Sequence, residues 1–365
     1  MNFIDLKMQY QLYKSDIDTR IQAVIENTRF IKGLELKELE AKLAEYVGVK
    51  HAVGCGSGTD ALLVPLLAYG IKPGDEIITT PFTFIATAEV ISFIGAVPVF
   101  TDIDEKNYNI DISQIEKKIT KKTKGIIPVS LYGQVPDMDQ INAIAKKHNL
   151  FVIEDGAQSF GAVYKGRKSC GLSDVGATSY YPSKPLGCYG DGGMMFLNDD
   201  ELAAKLRSII DHGQVKNYEH KYIGFNFRMD TIQAAVLLAK FTHFEEEAEK
   251  RSAIGKRYTK LFTGTSVVPP MMESHTSRCV YAQYSIRVKN RTEVIEHLKA
   301  NGIPSAVHYP IPIHLQEAYT YLGYKKGGFP VSEKISEEIM SLPMHPFLTE
   351  VQQDEVVGRV LEKAK

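Results

Sequence analysis

Charge of one sign is what this 365-residue sequence lacks first: 43 Lys and Arg stand against 44 Asp and Glu, a formal net charge of -1 at pH 7. Without a basic field there is little to hold a polyanion, so neither nucleic acid nor a membrane surface is expected as a main partner. Long apolar runs are missing too. No stretch reaches the roughly eighteen uncharged apolar residues of a membrane span, and Asp5 interrupts the apolar opening, which argues against a secretory signal. Cysteine is sparse. Cys55, Cys170, Cys188 and Cys279 stand singly, without the close pairs of a zinc site or the density of a disulfide framework. No metal is expected, and a reducing cytoplasm is the expected compartment. Internal repeats and low-complexity linkers are also absent. The remaining composition is that of an ordinary globular protein, long enough for about two domains.

Rhythm along the chain supplies the organisation. From about residue 35 to 200, short apolar runs bounded by Gly, Pro or Asp alternate with stretches of helical period, the pattern of an α/β protein with a mostly parallel central sheet. Strands are expected at 51–53, 76–79, 97–100, 125–130, 150–154, 176–180 and 193–197. Leu36, Leu39, Leu43 and Val47 mark one face of an amphipathic helix, and Asp137 before Met138, Ile141 and Ile144 marks a capped second one. After about Asp230 the chain turns helical, with the acidic run 245–247 read as a solvated face. Beyond Val267 a smaller α+β domain is expected, with a strand over 280–288 and a helix over 291–301. The division is drawn as 1–240 and 241–365.

Three segments could carry chemistry. Gly54-Cys55-Gly56-Ser57-Gly58-Thr59 lies between a short strand and an apolar helical stretch. Small residues there let a helix start aim free N–H groups at a phosphate. The spacing is neither a dinucleotide fingerprint nor a Walker loop, and taken alone the segment reads as a plain strand-to-helix turn in preference to a phosphate site. Pro65, inside the proposed helix, should kink or interrupt it. The second segment, Leu150–Gln158, ends an apolar run with Glu154 and Asp155 at the carboxyl edge of the sheet, where ligands collect in open α/β sheets. One of the two acids is the functional one, unless Asp155 only caps a turn. In the third, Lys184 sits between Pro182 and Pro185 ahead of a glycine-rich turn. A lysine presented rigidly beside apolar neighbours has a lowered pKa and suits Schiff-base chemistry; the plain alternative is a surface lysine. Together, a phosphate-shaped helix start, an acid at a strand end and a framed amine are the groups that pyridoxal phosphate (PLP) requires. Phe84, just past the strand at 76–79, is available to stack on its ring.

These segments resemble the DegT/DnrJ/StrS sugar-nucleotide aminotransferases. The matching stretches are Phe3–Leu6, Gly33–Glu35, Gly58–Leu62, Pro128–Gln134, Glu154-Asp155, Lys184–Gly187, Gly224–Asp230 and His308–Pro310, in order along almost the whole chain. The resemblance implies the PLP fold type I architecture of aspartate aminotransferase. It implies that Lys184 is the Schiff-base lysine and proton shuttle, that Asp155 partners the pyridine nitrogen, that Gln158 and Phe84 flank the ring, and that Gly58, Thr59 and Ser179 bind the phosphate. Asn226 matches a position that reaches the phosphate from the neighbouring subunit, so a homodimer with shared sites is implied. Family members that dehydrate sugars carry His where this chain has Lys184, which points to transamination. Gly156 departs from the more usual Ala. Arg228, His308 and Tyr309 resemble the subgroup that aminates C3 of UDP-2-acetamido-2-deoxy-3-oxo-glucuronate with glutamate as donor, for cell-surface polysaccharide precursors such as lipopolysaccharide O-antigen. A guanidinium fork suits the uronate carboxylate, though Arg228 could instead pair with Asp230. His308 is expected to donate to a diphosphate or sugar oxygen.

The expected reaction has two stages. Glutamate leaves as 2-oxoglutarate and pyridoxamine phosphate carries the amino group to a nucleotide-linked keto sugar, with Lys184 alternating between base and acid. The rival within the family is a dTDP-3-keto or 4-keto-6-deoxyhexose aminotransferase. Rivals of other classes are a non-catalytic PLP-binding regulator and a nicotinamide oxidoreductase.

Overall fold

Short runs of apolar residues form one seven-stranded sheet in a computed structural model that describes residues 1–365. The strands are β1 His51–Cys55, β2 Glu76–Thr79, β3 Val97–Phe100, β4 Thr123–Ile126, β5 Phe151–Asp155, β6 Val175–Ser179 and β7 Gly193–Leu197, and they lie in the order β1-β7-β6-β5-β4-β2-β3. Strands β2 to β6 pair in parallel, whereas β7 runs antiparallel to both neighbours. A parallel return needs a crossover of a dozen or more residues, usually a helix. Residues 180–192 form only turns, so the chain comes straight back.

Both faces of the sheet are covered, which is why its strands read as continuous apolar runs. Ile78, Val152, Met194 and Phe196 face one core with Leu36, Leu39, Leu43 and Val47 of helix Leu34–Val47. Their strand neighbours Ile77, Ile153, Met195 and Leu197 face the other core with Leu62, Leu63 and Leu66 of helix Gly58–Ala68. The regular strand expected over 125–130 ends at Ile126; beyond Pro128, which has no N–H to donate, only a single bridge of Val129 to Asp155 carries the pairing on. Asp137 caps helix Met138–Lys147 as expected, accepting from the Gln140 N–H at 3.2 Å. Pro65 does not interrupt its helix, which ends three residues later at Ala68; only the Ala61 carbonyl loses its helical donor.

Helix Thr231–Phe262 runs unbroken through residue 240, so the division drawn at 240/241 lies inside it. Its Ala234, Leu237, Phe244 and Ala248 pack in the large core. Ile254, Tyr258 and Phe262 pack instead with the antiparallel strands β8 Tyr284–Arg287 and β9 Ile339–Leu342 and with helices Arg291–Ala300 and Glu350–Leu361. The acidic run on this helix is not simply solvated. Glu247 is buried and accepts from Gln9 Nε2 at 3.0 and 2.9 Å, and Glu245 grips Arg278. No helix is long and apolar enough to cross a membrane.

His345, 3% exposed beyond β9, carries a stability consequence. Burial, and then the Arg251 charge, push its imidazole down to about 4 from an ordinary 6.5. The unfolded chain therefore takes a proton as pH falls through 6.5, while the folded protein refuses it until about 4. Stability is lost across that window. Two and a half units at 1.36 kcal/mol each amount to about 3 kcal/mol. Chemical denaturation of His345→Gln should show a shallower loss between pH 7 and 4.5 than the unsubstituted protein, and parallel curves would refute the assignment.

Candidate active site

Ligands in open α/β sheets meet the loops beyond the carboxyl ends of the strands, and a cavity of about 520 Å³ opens there. Gly58, Thr59, Phe84, Asp155, Gln158, Ser179, Lys184, His308 and Tyr309 all line it.

At one end stands the start of helix Gly58–Ala68. Ser57 is its extended N-cap and accepts from the Asp60 N–H at 3.1 Å. Glycine is required next, because a Cβ at Gly58 would stand 2.5 Å from the Ser179 Cβ. The helix start thus presses against the end of β6, and its first-turn N–H groups, with the Ser57, Thr59 and Ser179 hydroxyls, make a site for an anion. Burial, reinforced by Asp191, lifts the Asp60 carboxyl in this first turn to about 6.

At the deep end β5 presents Asp155. Thr87 Oγ1, from helix Ala86–Phe93, donates to its Oδ2 at 2.7 Å, and the Ala157 N–H donates to its Oδ1 at 3.2 Å. Burial raises the Asp155 carboxyl above the usual range against those two hydrogen bonds and the Lys184 charge. Strand alternation sends Glu154 to the opposite face, where Ser130, Ser169 and the Cys170 N–H enclose it at 2.8, 2.7 and 2.8 Å. Of the two acids only Asp155 meets the cavity. The Gly156 departure also has a local cause, since a Cβ there would lie 2.4 Å from the Cys170 Sγ.

Lys184 closes the space between these ends. Its backbone N–H donates to Tyr181 O at 2.8 Å, and Lys240, buried behind the loop, donates to the Gly187 carbonyl. Desolvation pulls the Lys184 amine below the ordinary lysine range, opposed by Asp155. Across the cavity, Phe84 and Tyr309 lie with ring centroids 6.3 Å apart. Gln158 is held rigidly, since its Nε2 donates to Tyr309 Oη at 3.0 Å and its Oε1 accepts from the Tyr132 N–H at 2.7 Å. Burial lowers the His308 imidazole, with the Lys184 charge adding to it.

Two expected residues lie elsewhere. Asn226 and Arg228 sit outside the cavity on the strand-like segment beside Cys55 and Asp211. Arg228 does not pair with Asp230; its Nε donates to Asn226 Oδ1 at 2.8 Å and its NH1 to Asp211 Oδ1 at 3.1 Å. Other lining residues escaped the sequence reading. Thr87 was detectable as a hydroxyl in an apolar helix three residues past Phe84. Gln283 carried no local signal, yet its Oε1 is buried on the cavity wall with no partner.

An orphaned acceptor, an anion-ready helix start, a buried carboxylate and a desolvated amine around one cavity are a donor set that fits PLP. Comparison with known proteins agrees. The model of the DegT/DnrJ/EryC1/StrS aminotransferase family matches residues 11–361. The UDP-2-acetamido-2-deoxy-3-oxo-D-glucuronate aminotransferase of Pseudomonas aeruginosa is 50% identical over 95% of this chain and 96% of its own length. The UDP-N-acetyl-3-dehydro-alpha-D-glucosamine 3-aminotransferase of Acidithiobacillus ferrooxidans is 42% identical over 96% and 94%. The crystal structure of S. venezuelae DesV in complex with a ketimine intermediate superposes with a TM-score of 0.97 at 38% identity, covering 99% of this chain and 97% of that one.

Proposed function

The chain belongs to the DegT/DnrJ/EryC1/StrS aminotransferase family and is a PLP-dependent aminotransferase, and from that premise we propose that it moves the amino group of glutamate to C3 of UDP-2-acetamido-2-deoxy-3-oxo-glucuronate. The product would feed cell-surface polysaccharide, such as lipopolysaccharide O-antigen, in the cytoplasm. The observation that carries the catalytic part is the convergence of Lys184 and Asp155 on one cavity whose far end is a helix start. When bound, PLP supplies an aldehyde that bonds an amine and a ring that withdraws electrons from the carbon bearing it. Asp155 holds negative charge where a pyridine nitrogen needs a partner. The first-turn N–H groups at Gly58 and Thr59 and the Ser179 hydroxyl hold the phosphate. Phe84 and Gln158 bound the ring. Lys184 Nζ, its pKa lowered by desolvation, is the group placed to take a proton from Cα of glutamate and to return one to C3 of the sugar in the second stage.

A second copy of the chain completes the site in this reading, with Asn226 reaching the neighbouring phosphate. Lys184 is the only Lys or Arg side chain on the cavity wall, and Asn226 is exposed beside an arm carrying exposed Val215, Tyr218 and Ile223.

For the substrate, the 50%-identical relative supports a uronate. Arg228, outside its own chain's cavity and beside Asn226, would reach the sugar from the second copy; it spends two of five donors within its own chain, which leaves donors for a carboxylate. The second reading is a neutral 3-keto sugar, with Arg228 merely bracing Asn226 and Asp211. The two separate in an assay of both UDP-linked keto sugars with glutamate. Arg228→Ala should lower kcat/KM for the uronate by about 10- to 100-fold, the scale of a charge-assisted hydrogen bond, and much less for the neutral sugar. Equal losses would favour the bracing role.

A further inference from the structure

Nothing on the Lys184 side chain itself fixes where its amine stands. Desolvation and the Asp155 charge act on Nζ, but no hydrogen bond within the chain holds it. Its place is set by the backbone beneath it. Residues 180–188 form a loop closed at its base, where the Cys188 N–H donates to Tyr180 O at 2.8 Å, and again within, where the Lys184 N–H donates to Tyr181 O at 2.8 Å. Pro182 and Pro185 each fix one φ angle. A Cβ at Gly187 would stand 2.4 Å from the Pro182 carbonyl oxygen, so the two limbs of the loop touch. A shift at 187 is therefore carried to 184.

One helix grips the far limb. Gln233 and Lys240 stand two turns apart on one face of helix Thr231–Phe262. Gln233 brackets Tyr189: its Oε1 accepts from the Tyr189 N–H at 2.8 Å, and its Nε2 donates to the Tyr189 carbonyl at 3.2 Å. Lys240 Nζ donates to the Gly187 carbonyl and lies 5.2 Å from the centre of the Tyr189 ring. Each of these three bonds has one possible direction, because a backbone N–H and an ammonium only donate and a backbone carbonyl only accepts. The grip has a firm base, since every residue from Ala234 to Ala239 is buried. Lys240 is itself only 2% exposed; burial pulls its ammonium down to about 8 while Glu247 holds it up, so it keeps its proton at pH 7. A buried ammonium is costly, and this one serves the buried Gly187 carbonyl, which has no other donor.

We propose that Gln233 and Lys240 are positioning residues for the aminotransferase reaction: by holding the backbone at 187 and 189 they set where Lys184 Nζ stands against Asp155 and the helix start at Gly58. Neither side chain lines the cavity. This role rests on reading Lys184 as the amine that bonds PLP and carries the proton, which Lys184→Ala tests separately. Because one amine works in both stages, loosening it should slow both by a similar factor and change KM for either substrate little.

Gln233→Ala is the gentle variant, since Gln233 is only partly buried and Lys240 and the Cys188 closure remain. Single-turnover rates should fall about 10-fold in Gln233→Ala and about 100-fold in Lys240→Met, the scale of a displacement of up to one ångström, equally with glutamate and with the keto sugar. With glutamate deuterated at Cα, the isotope effect on the first stage should grow, because a misplaced amine slows the proton transfer. Two further readouts need no turnover. In apoenzyme of Gln233→Ala, hydrogen exchange over residues 185–190 should quicken, and at saturating PLP the visible absorbance of PLP bonded to lysine should develop about 10-fold more slowly. Single-turnover rates and an isotope effect unchanged in Gln233→Ala would overturn the proposal, whatever becomes of Lys240→Met, and so would a loss confined to one stage. Either result would still leave Lys184→Ala without absorbance, so this proposal and the reading of Lys184 fail separately.

Discussion

Lys184→Ala should leave a folded protein that turns over no keto sugar and lacks the visible absorbance of PLP bonded to a lysine. The loss follows from removing two functions in one side chain. The amine is the only one on the cavity wall able to bond the cofactor, and it is the group that shuttles the proton. Positioned acid–base catalysis alone contributes typically 10²–10⁴-fold, so turnover should fall by at least that much. Folding should survive, because the loop is held from elsewhere, by Lys240 on the Gly187 carbonyl and Cys188 Sγ on the Tyr180 carbonyl. A spectrum before and after glutamate reads this directly. The unsubstituted enzyme should bleach and the variant should have nothing to bleach; near-normal turnover in the variant would end the mechanism.

Asp155→Asn should be nearly as severe. The substitution keeps the shape and an acceptor for the Ala157 N–H but removes the charge that would face the pyridine nitrogen. Loss of one preorganised electrostatic group in a water-excluded site typically costs 10²–10³-fold in kcat, and that is the expected fall in the glutamate half-reaction. Glu154→Gln is the matched control. Its side chain is enclosed by Ser130, Ser169 and Cys170 on the other face of the strand, so it should lower the melting temperature far more than it lowers kcat. If the two variants lost activity alike, Asp155 would not have the special position argued for it.

The uneven legibility of the site has a physical pattern. Lys184 between two prolines, Asp155 at a strand end and Gly58-Thr59 at a helix start are readable because each depends on backbone geometry set within a few residues. The extents of strands 76–79, 97–100 and 193–197 were readable for the same reason, while 125–130 was overdrawn by giving Pro128 too little weight. Which acid of Glu154 and Asp155 faces the cavity was not readable from the local pattern; the family resemblance singled out Asp155, and the pleat of β5 between β4 and β6 turns that one to the cavity. Thr87 against Asp155, Tyr132 against His308 and Ser341 against His308 join residues 68, 176 and 33 apart in sequence, and no local pattern announces such pairs.

What the sequence determined by itself, then, was the chemistry: an amine, a carboxylate and an anion-binding turn in an order matched by one aminotransferase family. What the tertiary structure alone decided was orientation. It turned Glu154 away, held Arg228 outside the cavity on Asp211 and Asn226, left Gln283 Oε1 unpaired on the wall, and set the Ser341 hydroxyl behind His308. Local backbone preference fixes what a residue can be, but the direction in which a side chain points depends on distant segments packing against it, and that contact exists only in the folded chain.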